Sequence, residues 1–156
     1  MSVERNEEVR QGEQTARPDA SVDRDVFLEF LIGAVESVEK TEPVPEEERG
    51  FDITLTVGGI LISGRVISRD AFVSGEPFVK STIGVVDEQR TPEQKEDAEQ
   101  VLKTGRRHFI HLKDAVFFTG PNLPIPGVGQ GFYWRGRLNS VDGWMIGRLT
   151  VQSAKS

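Results

Sequence analysis

The sequence predicts an α+β domain, mainly β, with an N-terminal helix and a helical insertion between its strands. Three observations carry that expectation. An apolar stripe of helical period covers residues 25–39, an alternating hairpin opens at Phe51, and residues 107–118 read as a strand that is apolar on both faces. At 156 residues and 17.3 kDa the chain suits one domain with a sizeable core. The expected organisation is a disordered acidic tail over 1–22, a single globular domain over 23–151 and a short C-terminal tail over 152–156.

Residues 1–22 are rich in Glu, Gln, Arg and Ser and offer almost nothing to bury, hence the expected disorder. Without an apolar core they do not read as a signal peptide. The helix over 25–39 follows. Phe27, Phe30, Leu31, Ala34, Val35 and Val38 recur at three- and four-residue steps, and Leu28 and Ile32 widen the stripe, so a broad face is expected to be buried. Ser21 or Asp23 is the expected cap, with Asp25 and Glu29 favoured by the positive end of the helix dipole. Pro43 and Pro45 stop the helix inside an acidic linker over 41–50.

Phe51, Ile53, Leu55 and Val57 alternate with Thr54 and Thr56, and Gly58-Gly59 supplies the positive φ values of a two-residue turn. That turn pairs Val57 with Ile60, Leu55 with Ile62 and Ile53 with Gly64, which puts both strands' apolar residues on one face. Within the insertion over 75–105, Thr91-Pro92-Glu93-Gln94 is a capping box with Pro at the first helical position. Residues 77–86 fit a strand or a helix equally. Two last strands are expected near 132–140 and 144–151, joined by a turn containing Asp142-Gly143.

Composition excludes several chemistries. Cys is absent, so there are no disulfides, thiolate nucleophiles or Cys-ligated metals. No apolar run approaches the ~20 residues that span a bilayer. His108 and His111, three apart on a strand, face opposite ways and read as structural histidines. Asp52, Asp70, Asp114 and Asp142 are the carboxylates to watch as an acid–base pair, yet each suits a turn or strand end. Gly127-Val128-Gly129-Gln130-Gly131 leads into a strand and lacks the Lys-Ser/Thr of a phosphate loop. No catalytic residue, metal or cofactor is expected.

Charge is uneven. Residues 1–50 hold 14 acids and 6 bases, whereas residues 105–156 hold 2 acids and 7 bases. A solvated tail, contact between tail and body, or a basic face for an anionic partner each fits that asymmetry. The densest cluster is Phe132, Tyr133, Trp134, Arg135, Arg137 and Trp144, where aromatics beside arginines serve either a core or stacking on nucleobases. Trp134 and Trp144 on adjacent strands would pack together.

Gly64-Arg65-Val66-Ile67-Ser68-Arg69-Asp70-Ala71-Phe72 resembles the first signature of Sm-like proteins, and Tyr133-Trp134-Arg135-Gly136 resembles the second. The resemblance implies a small, strongly bent antiparallel β-barrel of the Sm/SH3-like kind over 51–151, with Gly64 allowing the bend. Val73-Ser74 stands where Sm-like proteins carry Met-Asn in their RNA pocket. An RNA-binding module using Arg135, Lys113 and Phe72 is therefore the alternative reading.

A fuller resemblance covers about residues 23–150. Asp25-Val26-Phe27-Leu28-Glu29-Phe30-Leu31, Ile53-Thr54-Leu55-Thr56-Val57-Gly58-Gly59-Ile60-Leu61-Ile62-Ser63-Gly64, Phe109-Ile110-His111-Leu112-Lys113-Asp114-Ala115 and Trp134-Arg135-Gly136-Arg137-Leu138 through Trp144 and Gly147 are similar to the gas vesicle accessory protein U family (GvpU). Membership implies a cytoplasmic, non-enzymatic protein associated with gas vesicles, whose partners are the shell or other accessory proteins and which can form homo-oligomers. Membrane is not an expected partner, and nucleic acid is the less favoured one. Phe27, Leu31, Arg135, Arg137 and Trp144 are the expected contact residues.

Overall fold

The computed structural model describes residues 25–41, 44–45, 48–104, 107–121 and 124–150. The tail expected over 1–22, the caps Ser21 and Asp23, and residues 152–156 lie outside the described residues. Among the described residues, four α-helices and a five-stranded antiparallel sheet make up the fold. The helices are α1 (Val26–Thr41), α2 (Arg69–Gly75), α3 (Pro77–Glu88) and α4 (Pro92–Thr104). The strands are β1 (Asp52–Val57), β2 (Ile60–Ile67), β3 (Phe109–Phe118), β4 (Phe132–Arg137) and β5 (Gly143–Ile146), in the order β4-β3-β2-β1-β5.

The β1–β2 hairpin has the register that its alternation predicts, with Val57 opposite Ile60, Leu55 opposite Ile62 and Ile53 opposite Gly64. Gly58 and Gly59 turn it at φ 56° and 81°. A register shift falls at Gly64, between Ser63 and Arg65. A side chain there would meet the β3 backbone at Lys113 and Ala115 at 3.1–3.2 Å, so glycine suits the close approach of the strands.

The two last strands do not form a hairpin. A single 3₁₀ turn, Leu138–Ser140, carries the chain from one edge of the sheet to the other. Leu138 donates its N–H to the His108 carbonyl before β3, whereas Asp142 donates to Thr56 of β1. These bonds place β4 beside β3 and β5 beside β1. Trp134 and Trp144 therefore sit on opposite edge strands, not adjacent ones. The sheet bends at Gly64 and again between Leu112 and Ala115, but it is not a closed barrel, because β4 and β5 are its two edges.

Leu28, Ile32 and Val35 of α1 pack with Ile53, Leu55, Ile62, Val66, Ile110, Leu112 and Ala115 to form the core. This corrects the expected orientation of α1. Phe27, Phe30 and Val38, assigned to the buried face by their spacing, are 60%, 68% and 47% exposed. Nine of the thirteen residues from Val26 to Val38 are apolar, so periodicity alone cannot choose which stripe meets the sheet.

On the opposite face of the hairpin Thr54 and Ser63 are buried, and their hydroxyls lie 2.9 Å apart. Thr54 donates to the Gly147 carbonyl, and Leu149 donates its N–H to Ser63, so the strand expected to run to 151 instead folds over this face. Residues 77–86 are helical. The Glu76 carboxylate accepts the Val79 N–H at 2.7 Å and starts α3. Thr91 and Gln94 form the reciprocal capping box that opens α4, with bonds of 3.0 and 3.3 Å.

Candidate functional site

The five expected contact residues fall into two groups. Phe27 and Trp144 stack, with ring centroids 5.8 Å apart and planes 20° from parallel. The Trp144 indole N–H donates to one oxygen of the Asp25 carboxylate, and the other oxygen accepts the Leu28 N–H at 2.9 Å. Asp25 is thus both the cap of α1 and its tie to the β5 edge. The indole N–H, and after it the Leu28 amide, hold its carboxyl below the usual carboxylate range against a small opposing effect of burial. Leu31 lies one turn farther along α1 and is half-buried.

Arg135 and Arg137 are on β4, at the other edge of the sheet. The Arg135 guanidinium lies 3.5 Å from the centroid of the Phe109 ring, a cation–π contact, and Arg137 pairs across from Phe109. Phe72 of α2 packs 4.9 Å from the His111 ring and edge-on to Tyr133 at 5.9 Å. His111 is 6% exposed. Burial, followed by the charges of Arg135 and Arg69, pulls its pKa down to about 4, so it is a neutral packing group at neutral pH.

The watched carboxylates have separate partners. Asp52 is 3.7 Å from Arg65 and 3.6 Å from Arg148, and Asp142 accepts the Gly58 N–H of the hairpin turn at 2.8 Å. Asp114 sits at φ 51° in the β3 bulge, and Asp70 occupies the first turn of α2. Among the described residues, no group of three or more His, Asp or Glu side chains is placed to hold a metal ion, and no helix is long and apolar enough to cross a membrane.

A family model described as "Gas vesicle protein GvpU-like" matches residues 25–149. The chain belongs to the GvpU-like family. No curated protein and no solved structure matches it. The GvpU-like match begins at the α1 cap, Asp25, and ends at Leu149, whose N–H reaches Ser63. Membership ties the protein to gas vesicles and to their components in the cell.

An exposed apolar surface of this GvpU-like fold includes residues that sequence reasoning assigned elsewhere. Val26 and Phe30, 74% and 68% exposed, continue the Phe27–Trp144 surface along α1, and Ala34 and Val38 extend it. Met145 and Ile146 are exposed on the β5 edge beyond Trp144. One signal was available. A helix apolar on nearly every side has more apolar surface than one packing partner covers.

Proposed function

We propose that this protein is a non-enzymatic gas vesicle accessory protein that works by protein–protein contact in gas vesicle assembly, organisation or clustering. One observation carries the reading: the uncovered apolar face of α1, made by Val26, Phe27, Phe30, Ala34 and Val38 and extended by Trp144. Fully burying a single Phe or Val side chain contributes ~1.5–3 kcal/mol, and interface energy concentrates in a few such anchors. The face therefore has enough apolar area to hold a protein partner. Phe27, Leu31 and Trp144 serve that contact, and Arg135 and Arg137 offer a separate polar one on the β4 edge.

Gas vesicles float, and flotation tests the reading. Purified full-length protein is mixed with stripped vesicles and centrifuged gently, and the floating layer is assayed at low and high salt. Wild-type protein is expected in the float at both salts, because apolar contact is not screened. Phe30→Asp removes an exposed ring without touching the core, and it is expected to deplete the float by at least about tenfold. Equal flotation of Phe30→Asp removes α1 from the contact. Wild-type protein left below the float removes direct shell binding, and loss at high salt alone assigns the contact to the arginines.

A further inference from the structure

β4 is an edge of the sheet, and its register fixes which of its backbone groups are left open. Leu138 donates its N–H to the His108 carbonyl at 2.9 Å, which makes 108 and 138 a hydrogen-bonded pair. Bonded and non-bonded pairs alternate along an antiparallel ladder. Gly136 opposite Ile110 is therefore bonded across, whereas Arg137 opposite Phe109 and Arg135 opposite His111 are not. The backbone N–H and C=O groups of Arg135 and Arg137 thus point away from β3. Among the described residues, no strand pairs with β4 on that side.

The side chains along this edge are sorted by the same alternation. Arg135 and Arg137 stand on the face away from α1, both exposed, with Arg135 over the Phe109 ring. Neither β4 nor the β3 residues opposite the two arginines, Phe109 and His111, supply a carboxylate. Among the described residues, neither arginine has an ion-pair partner. Gly136, between them, lies on the other face, where a Cβ would collide with the Trp134 ring. That ring packs against the core and gives the edge an apolar floor, which Phe132, 48% exposed, continues.

We infer that the β4 edge takes up an extended peptide of a partner protein as an added antiparallel strand, with acidic residues at alternate positions and an apolar residue between them. The residues opposite Arg135 and Arg137 would exchange backbone hydrogen bonds with them, and their side chains would stand on the arginine face, where carboxylates form cross-strand ion pairs. The residue between them turns over Gly136 onto the Trp134 ring, where an apolar side chain fits. The β4 edge of a second copy does not fit, because it would set guanidinium against guanidinium. The inference rests on the polar contact proposed above for Arg135 and Arg137. It is independent of the α1 face, so its failure leaves flotation through α1 intact.

The test uses the full chain and the peptide acetyl-Thr-Val-Glu-Val-Glu-Val-Thr-amide, read by amide chemical shifts and hydrogen exchange. Saturable shifts along residues 132–137 are expected, and the amides of Arg135 and Arg137 should exchange at least about tenfold more slowly when the peptide is bound. The same peptide with lysines in place of the glutamates should bind at least about tenfold more weakly. N-methylation of both glutamates keeps the charges but removes the strand bonds, and it should abolish the protection. Arg137→Glu should reverse the preference toward the lysine peptide, a result that misfolding cannot produce. Absence of saturable binding, equal binding of the lysine peptide, or protection that survives N-methylation overturns the inference. So does protection that rises with protein concentration alone, which assigns the edge to a second copy. Shifts produced by oligouridylate and not by the peptide assign it to nucleic acid instead, and overturn it as well.

Discussion

His111 sits on β3 with its ring against Phe72 and the charges of Arg135 and Arg69 nearby. Its pKa in the fold, about 4, lies below the 6.5 of an unburied histidine, so the unfolded chain takes up this proton first as pH falls. The stability due to neutral His111 is complete above pH 6.5 and is lost progressively toward pH 4. Urea unfolding across that window, compared between wild type and His111→Gln, should show the stability difference shrinking by at least about 1 kcal/mol as pH drops. A constant difference would mean that His111 charges as easily in the fold as out of it. The histidine's structural role was legible from its place in an apolar strand. The ring that covers it was not, because Phe72 lies 39 positions away on α2.

At the scale of elements, the turn before β1 and the hairpin turn make a matched pair. Gly50 and Gly59 have nearly equal φ, 79° and 81°, but a side chain at Gly59 meets open space, whereas one at Gly50 collides with the Val66 carbonyl. Gly59→Ala should cost ~1–2 kcal/mol from left-handed backbone alone. Gly50→Ala should cost at least about twice that, by the same urea measurement, because it must also push β2 away. Equal costs would show that the turn yields freely. The Gly58-Gly59 turn could be read from the alternation on either side of it. Gly50 could not, since its neighbours Glu48, Arg49 and Phe51 give no sign that the β2 backbone passes beside them.

For the whole molecule, the sheet and α1 hold the core, while α3 and the described side chains of α4, residues 92–100, stand largely outside it. No residue of α3 is buried, and Phe78, Ile83, Val85 and Val86 remain exposed. Replacing residues 77–90 with a flexible linker should therefore leave the thermal midpoint within a few degrees of wild type, since no side chain of α3 is buried and loop-length entropy grows slowly. A large drop, or loss of the cooperative transition, would show that the insertion is part of the folding unit. Flotation of the same variant would separate α1 from α3 as the apolar face that meets vesicles.

Local chemistry alone determined the hairpin and its register, the α4 capping box, the β3 strand and the presence of α1. Each rests on residues within a few positions of one another, where alternation, turn glycines and caps act directly on the backbone. The family resemblance also lay in the sequence, in the order of its apolar segments. The tertiary structure alone decided which stripe of α1 faces the sheet, and that β4 and β5 part to opposite edges. It also decided that Arg135 and Arg137 lie on an open edge of the sheet. Those outcomes depend on contacts between residues far apart in the chain, and a helix apolar on most sides satisfies its own spacing in more than one orientation.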